Sequence, residues 1–145
     1  MKNTILKCCF LVAIFCILGN SIYGRNKDKE QIKAMLQAQV SEWNKGNIKG
    51  YMKGYWEHDS LIFIGKNGPS YGFNATLARY QKAYPDAKAM GILTSTILSM
   101  KKLSNKYYLI VGRWNLDREA GNLNGVYTLL LKKMDTWVIV YDHSS

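Results

Sequence analysis

A chain of 145 residues, 48% hydrophobic and with 2 prolines, is sized for one domain with a full core and excludes a multidomain enzyme. The net charge of +10 comes from scattered lysines, not from a dense basic block with interleaved aromatics, so a nucleic-acid partner is not expected. The 3 cysteines, Cys8, Cys9 and Cys16, all lie close to the start, which denies the remaining chain a disulfide frame, a thiolate nucleophile or a cysteine metal ligand.

Lys2 and Lys7 flank the apolar run "CCFLVAIFCIL", Cys8 to Leu18, which is shorter than the roughly 20 residues a membrane span needs. A basic start, a short apolar core and then the small residues of "GNSIYG" read as a secretory signal peptide over 1–24, cut after Gly24. The expected product is a domain over 25–145, exported to the periplasm or the outside, with no stable membrane anchor after cleavage.

"NKDKEQIKAMLQAQVSEWNKGN" predicts an amphipathic helix, with Ile32, Met35, Leu36, Gln39, Val40 and Trp43 recurring every three or four residues and Gly46–Asn47 ending it. "IKGYMKGYW" predicts a second, short helix, "SLIFIG" a strand and "KNGPSYG" a turn. "FNATLARYQKAY" predicts a third helix that Pro85 stops. Beyond Pro85 the period changes to two, giving three long strands in "GILTSTILSMKKL", "KYYLIVGRWNL" and "NGVYTLLLKKMDTWVIVYDHSS" cut at Met134–Asp135. Helices first and a strand meander after them mean an α+β fold, with about three N-terminal helices on one face of a bent, mostly antiparallel sheet.

The ending "WVIVYDHSS" places Asp142, His143 and Ser144 in a row, which invites a catalytic triad. Alternation argues against it. With a two-residue turn at Met134–Asp135, Lys133 pairs with Thr136, Thr128 with Tyr141 and Val126 with His143, so Asp142 and His143 point to opposite faces. Placing Arg113 opposite Thr128 puts Arg113, Asn115, Thr128, Tyr141 and His143 on one face. Trp114, Tyr127, Leu129, Leu131, Val138, Val140 and Asp142 fall on the other. The second of these faces is too apolar for water, and a homodimer through Trp114, Leu129, Leu131, Val138 and Val140 is expected.

"SEWNKGNIKGYMKGY", "IFIGKNGPSYGFNATLARYQKAYPD", "VGRWNL", "GVYTLLLKK" and the ending "WVIVYDHSS" resemble the nuclear-transport-factor-2-like superfamily, and within it the exported bacterial DUF4440 or SnoaL-like group. The resemblance covers nearly all of the chain beyond the first 24 residues. It implies a cone-shaped roll of three helices against a strongly bent sheet, enclosing a pocket, often dimeric through the sheet's outer face. It leaves function open, because the fold hosts isomerases, hydrolases, cyclases and plain binding or assembly domains.

The resemblance also implies a role for Arg113, since association domains of this superfamily hold small carboxylates on an inward arginine of the equivalent strand. A companion arginine would fall near Thr128 and is absent. Steroid-isomerase-like members use an aspartate further along the first strand, where this chain has "LIFIG" and no carboxylate. The expected ligand set is therefore Arg113 for charge, with Asn115, Thr128, Tyr141 and His143 for orientation. Tyr55, Phe63 and Tyr80 form the wall, with Tyr51, Tyr84 and Trp43 as further aromatic lining. The ligand expected is a small acidic or aromatic molecule. An isomerase or hydrolase with His143 or Asp59 as acid or base, and an assembly module without a ligand, are the alternatives. His58, Asp59 and His143 make a poor metal set, because adjacent residues do not chelate easily from one strand; no metal and no cofactor are expected.

Overall fold

The computed structural model describes residues 27–145; the stretch 1–24, expected as a signal peptide, and the three cysteines lie outside the described residues. Helix α1 covers 27–44. The chain divides into two compact units, and the one that concerns function is Ala34–Ser145. No helix among the described residues is long and apolar enough to cross a membrane.

Within Ala34–Ser145, α1 ends where Gly46 takes φ of 74°, a left-handed conformation that suits glycine. Asn47 then caps α2 (Ile48–Met52), its side chain accepting from the Gly50 N–H at 2.9 Å. The helix stops after five residues. Gly54 follows, with the Gln39 side chain where a Cβ would stand. Next come β1 (Ile62–Gly65) and β2 (Gly68–Tyr71), a tight hairpin turning at Lys66–Asn67. The stretch expected as a turn thus continues as a strand. Pro69 fits there because β2 is an edge strand, where a missing N–H costs nothing. Helix α3 (Phe73–Ala83) stops before Pro85 as the sequence requires, and a short α4 (Ala87–Met90), unforeseen in the sequence, is capped by Asp86 accepting from Ala89 N at 2.8 Å.

Four long strands follow: β3 (Ile92–Lys102), β4 (Tyr107–Asp117), β5 (Leu123–Lys133) and β6 (Trp137–Ser144). The sheet is open, in the order β2-β1-β6-β5-β4-β3. All neighbours are antiparallel except β1 and β6, which run parallel with Phe63 beside Asp142. The expected α+β architecture of helices on a mostly antiparallel sheet is what the chain adopts.

The last hairpin departs from the expected register. Lys133 pairs with Trp137, not Thr136, across a three-residue turn, since Met134–Asp135 lacks the glycine or asparagine a two-residue turn favours. A bulge between Leu130 and Leu131 then adds a second one-residue offset, so Leu131 pairs with Ile139 but Leu130 with Tyr141. Two offsets restore parity beyond Ile139. Asp142 therefore does share a face with Tyr127 and Leu129, as alternation predicts, while Trp137 and Ile139 join the buried face in place of Val138.

Candidate functional site

The unit Ala34–Ser145 encloses a cavity of about 430 Å³. Helix α1 contributes Leu36, Gln39, Val40 and Trp43, the stripe its sequence spacing marks out. The sheet contributes Leu93, Ser95, Trp114, Leu116, Tyr127 and Leu129. At one place in the wall Tyr51, Tyr55, Phe63, Tyr80 and Asp142 come together.

Glycines set the shape of the sheet wall. Gly112 pairs with Tyr127 and Gly125 with Trp114 across β4 and β5. A Cβ on Gly112 would collide with the Tyr127 ring, and one on Gly125 would lie 2.9 Å from Trp114 Cε2. The Tyr127 ring thus lies along Gly112, where a larger residue would lift it into the cavity, whereas at Gly125 a Cβ would meet the Ser145 carbonyl before the Trp114 ring. The Tyr127 hydroxyl is 3.0 Å from Ser95 Oγ on β3. The indole N–H of Trp114 is buried and has no hydrogen-bond partner among the described residues.

Asp142 is the centre of the polar part. It is 2% exposed. The Tyr55 hydroxyl donates to its Oδ2 at 2.6 Å, and Ser144 Oγ donates to its Oδ1 at 2.7 Å. The Tyr51 hydroxyl lies 3.3 Å from that of Tyr55, and Tyr80 is 3.5 Å from both, so three phenols stand in a triangle beside the carboxylate. Burial raises the Asp142 carboxyl from its usual 3.8 to about 6, a rise that the hydrogen bonds from Tyr55 and Ser144 and the charge of His143 only partly offset. Desolvation, then the nearby Asp142 charge, pushes the Tyr51 hydroxyl up to about 12 and that of Tyr55 well above 10. Tyr80 is raised likewise by desolvation, then by Tyr51 and Asp142. These phenols stay neutral at any ordinary pH, while the carboxyl changes charge near neutrality.

Arg79 also lines the cavity, with its Nη1 donating to Gly68 O at 2.7 Å and Ser70 Oγ at 3.1 Å and its guanidinium 5.1 Å from the Phe63 ring centre. It ties α3 to the β1–β2 hairpin.

The expected site residues divide. Tyr55, Phe63 and Tyr80 line the cavity, as do Tyr51, Tyr84 and Trp43. Arg113, Asn115, Thr128, Tyr141 and His143 do not: they alternate with the lining residues and look to the opposite face, where Arg113 and His143 are exposed. Of the residues expected on a subunit interface, Trp114 and Leu129 line the cavity, Leu131 is buried outside its wall, and Val138 and Val140 are half-buried outside it. The grouping holds for β4, β5 and the end of β6 but not for Val138 and Val140, and the face that lines the cavity is the one expected to lie outside. Burying the ionised Arg113 unpaired would cost several kcal/mol by the scale of about 2–5 kcal/mol for uncompensated buried charge, whereas Trp114 and Leu116 gain from burial. Asp59 is exposed in the loop before β1, and the His58 ring stacks on Trp56 with centroids 4.0 Å apart. Neither lines the cavity. No group of three metal-ligating side chains exists among the described residues. Sequence reasoning passed over Asp142, Ser95, Arg79 and Tyr127 as site residues. The signal that finds three of them is the pairing of Gly112 and Gly125 with large aromatics, which marks the covered face, on which Tyr127, Ser95 and Asp142 follow by alternation.

No protein-family model matches the chain, and no curated protein is significantly similar to it. Solved structures are. An NTF-2 like protein of unknown function from Shewanella oneidensis MR-1 is 42% identical with a TM-score of 0.77, the match covering 81% of this chain and 98% of that one. A hexachlorocyclohexane dehydrochlorinase, LinA-type3, from Novosphingobium barchaimii LL02 is 15% identical over 85% of this chain and 88% of its own, with a TM-score of 0.67. A ketosteroid isomerase-like protein from Erwinia carotovora atroseptica is 16% identical over 83% and 96%, with a TM-score of 0.65. The last two share the fold alone, whereas the first, at its identity and coverage, shows kinship: the chain belongs to the NTF2-like superfamily.

Proposed function

We propose that this protein binds a small, mostly apolar or aromatic molecule in the cavity of Ala34–Ser145, with Asp142 and Tyr55 holding its one polar group. The observation that carries this reading is the placement of a buried carboxylate in a wall otherwise built of Trp43, Tyr51, Phe63, Tyr80 and Trp114. A concave, aromatic-lined space with a few convergent polar groups is the usual form of a small-molecule site. Export to the periplasm or outside remains part of the proposal, and rests on the basic–apolar–small pattern of 1–24.

A second reading has its own observation. A carboxyl raised to about 6 beside a tyrosine hydroxyl is suited to proton transfer, and related folds carry the names of an isomerase-like protein and a dehydrochlorinase. In that reading Asp142 takes or gives the proton, and Tyr55 steadies its charged form. His143 and Asp59 do not line the cavity for such a task.

The test is a titration of tryptophan emission with 2-phenylethanol, a neutral aromatic probe, since Trp43 and Trp114 both line the cavity. Saturable change that Val40→Trp abolishes, by filling the space, supports the reading. No saturable change, or one that Val40→Trp leaves intact, defeats it.

A further inference from the structure

We propose that the cavity is selective for an organic cation: an ammonium group on an aromatic or apolar body, seated against Asp142. This rests on the small-molecule reading above and adds the charge of the ligand, a property that Arg113 on the opposite face does not determine.

The first argument is an account of donors and acceptors. The polar cluster holds only oxygens: the two of Asp142 and the hydroxyls of Tyr51, Tyr55, Tyr80 and Ser144. Each hydroxyl brings one proton but two lone pairs, and an ionised carboxylate brings lone pairs and no proton. Acceptor capacity therefore exceeds donor supply, whichever way the hydroxyls turn. An ammonium group is the complement, with three donors and no acceptor.

The second argument is charge. Asp142 forms no ion pair among the described residues; its partners are two hydroxyls. Two cations line the cavity: Arg79, engaged with Gly68 O and Ser70 Oγ and lying over Phe63, and Lys66, exposed in the turn between β1 and β2, and neither forms an ion pair with Asp142. A buried carboxylate without a cation is an expensive arrangement that a cationic ligand relieves. An acidic ligand would instead bring a second negative charge beside it.

The third argument is the wall. Ring faces attract cations and ring hydroxyl oxygens do the same, and Trp43, Tyr51, Tyr80 and Tyr84 pack edge to face around one another within the lining. The net charge of +10 acts against a cation at long range. That field comes from scattered lysines and salt screens it, whereas the carboxylate acts at contact within a dry wall.

The test compares three probes of one shape, 2-phenylethylamine, 2-phenylethanol and phenylacetate, by calorimetry at about pH 7.5, where Asp142 is ionised and an alkylamine is protonated. The ammonium should bind at least about tenfold tighter than the alcohol, as expected of a desolvated charge pair, with the carboxylate weakest. Asp142→Asn should remove that preference, the amine losing at least about tenfold more affinity than the alcohol. Circular dichroism checks that the variant folds. Should it not fold, the pH dependence of the intact chain decides: amine affinity should fall as pH drops through about 6 while alcohol affinity stays level. The groups that surround Asp142 are controlled for in this readout. Tyr51, Tyr55, Tyr80 and Tyr127 stay neutral, and the run is repeated on His143→Gln, which removes the neighbouring imidazole that would act on the amine and not on the alcohol. If amine and alcohol bind alike, if phenylacetate binds best, or if Asp142→Asn keeps the amine preference, the cation inference is overturned and the small-molecule site stands. If none of the three binds, both are overturned.

Discussion

The Tyr55 hydroxyl donates to Asp142 Oδ2 at 2.6 Å, joining a residue just after α2 to the last strand of the sheet. It links the helical side of the cavity directly to its sheet wall. Removing it by Tyr55→Phe leaves a buried carboxylate with one donor fewer. We expect a loss of about 1–3 kcal/mol in urea unfolding at neutral pH, and an Asp142 carboxyl that titrates above its present value of about 6. Carbon-13 titration of the carboxyl reads the second effect, which simple loss of packing would not produce.

Asp142 also ties stability to pH. The folded chain keeps the carboxyl proton up to about 6, whereas an unfolded chain releases it near 3.8. Between these values the folded state binds more protons, so stability falls as pH rises through the window and levels off once the folded carboxyl has ionised. The contribution is about 3 kcal/mol at about 1.4 kcal/mol per unit. Urea midpoints should decline from about pH 4 to about 6.5 in the intact chain, and Asp142→Asn should lose this slope. An unchanged slope in the variant would mean another group is responsible.

Asn44 fastens the edge of the sheet. Its Nδ2 donates to Leu93 O at 3.1 Å and its Oδ1 accepts from Leu93 N at 2.7 Å, so the side chain serves both backbone groups on the open side of edge strand β3. Asn44→Ala should cost about 1–3 kcal/mol, and amide exchange at Leu93 should quicken more than in the middle of β4.

Gly112 should not tolerate a side chain, although its backbone conformation is ordinary. An alanine Cβ there meets the Tyr127 ring. Gly112→Ala should destabilise by about 1–3 kcal/mol through overpacking, and should weaken 2-phenylethanol binding by moving Tyr127 into the cavity. The double variant Gly112→Ala, Tyr127→Leu should recover much of the stability, which a purely backbone cause would not allow.

Arg113 and His143 are exposed on the far face. Arg113→Ala and His143→Ala should each leave probe binding unchanged within about twofold and stability within about 0.5 kcal/mol. Loss of binding in either would restore these residues to the site.

Local pattern determined a good deal of this protein. Three- and four-residue spacing marked the stripe Leu36, Gln39, Val40, Trp43, and alternation after Pro85 marked the long strands. Alternation also put Asp142 and His143 on opposite faces, which removed the triad. The short motifs around Trp43, Phe63 and the ending were enough to point to the superfamily. These signals are carried by neighbours within one turn or one strand, so they can be read without the fold.

What only the tertiary structure decided is which face the helices cover. Both faces of β4, β5 and β6 carry apolar residues, and no spacing rule ranks one above the other. The choice follows from long-range packing: Tyr127 and Trp114 lie down on Gly112 and Gly125, and Asn44 pins β3 beneath α1. The bulge at Leu130 and Leu131 is likewise a property of two strands together. Asp142 became the site's centre because a contact across 87 residues brought Tyr55 to it, and a bond between such distant positions leaves no mark on either neighbourhood.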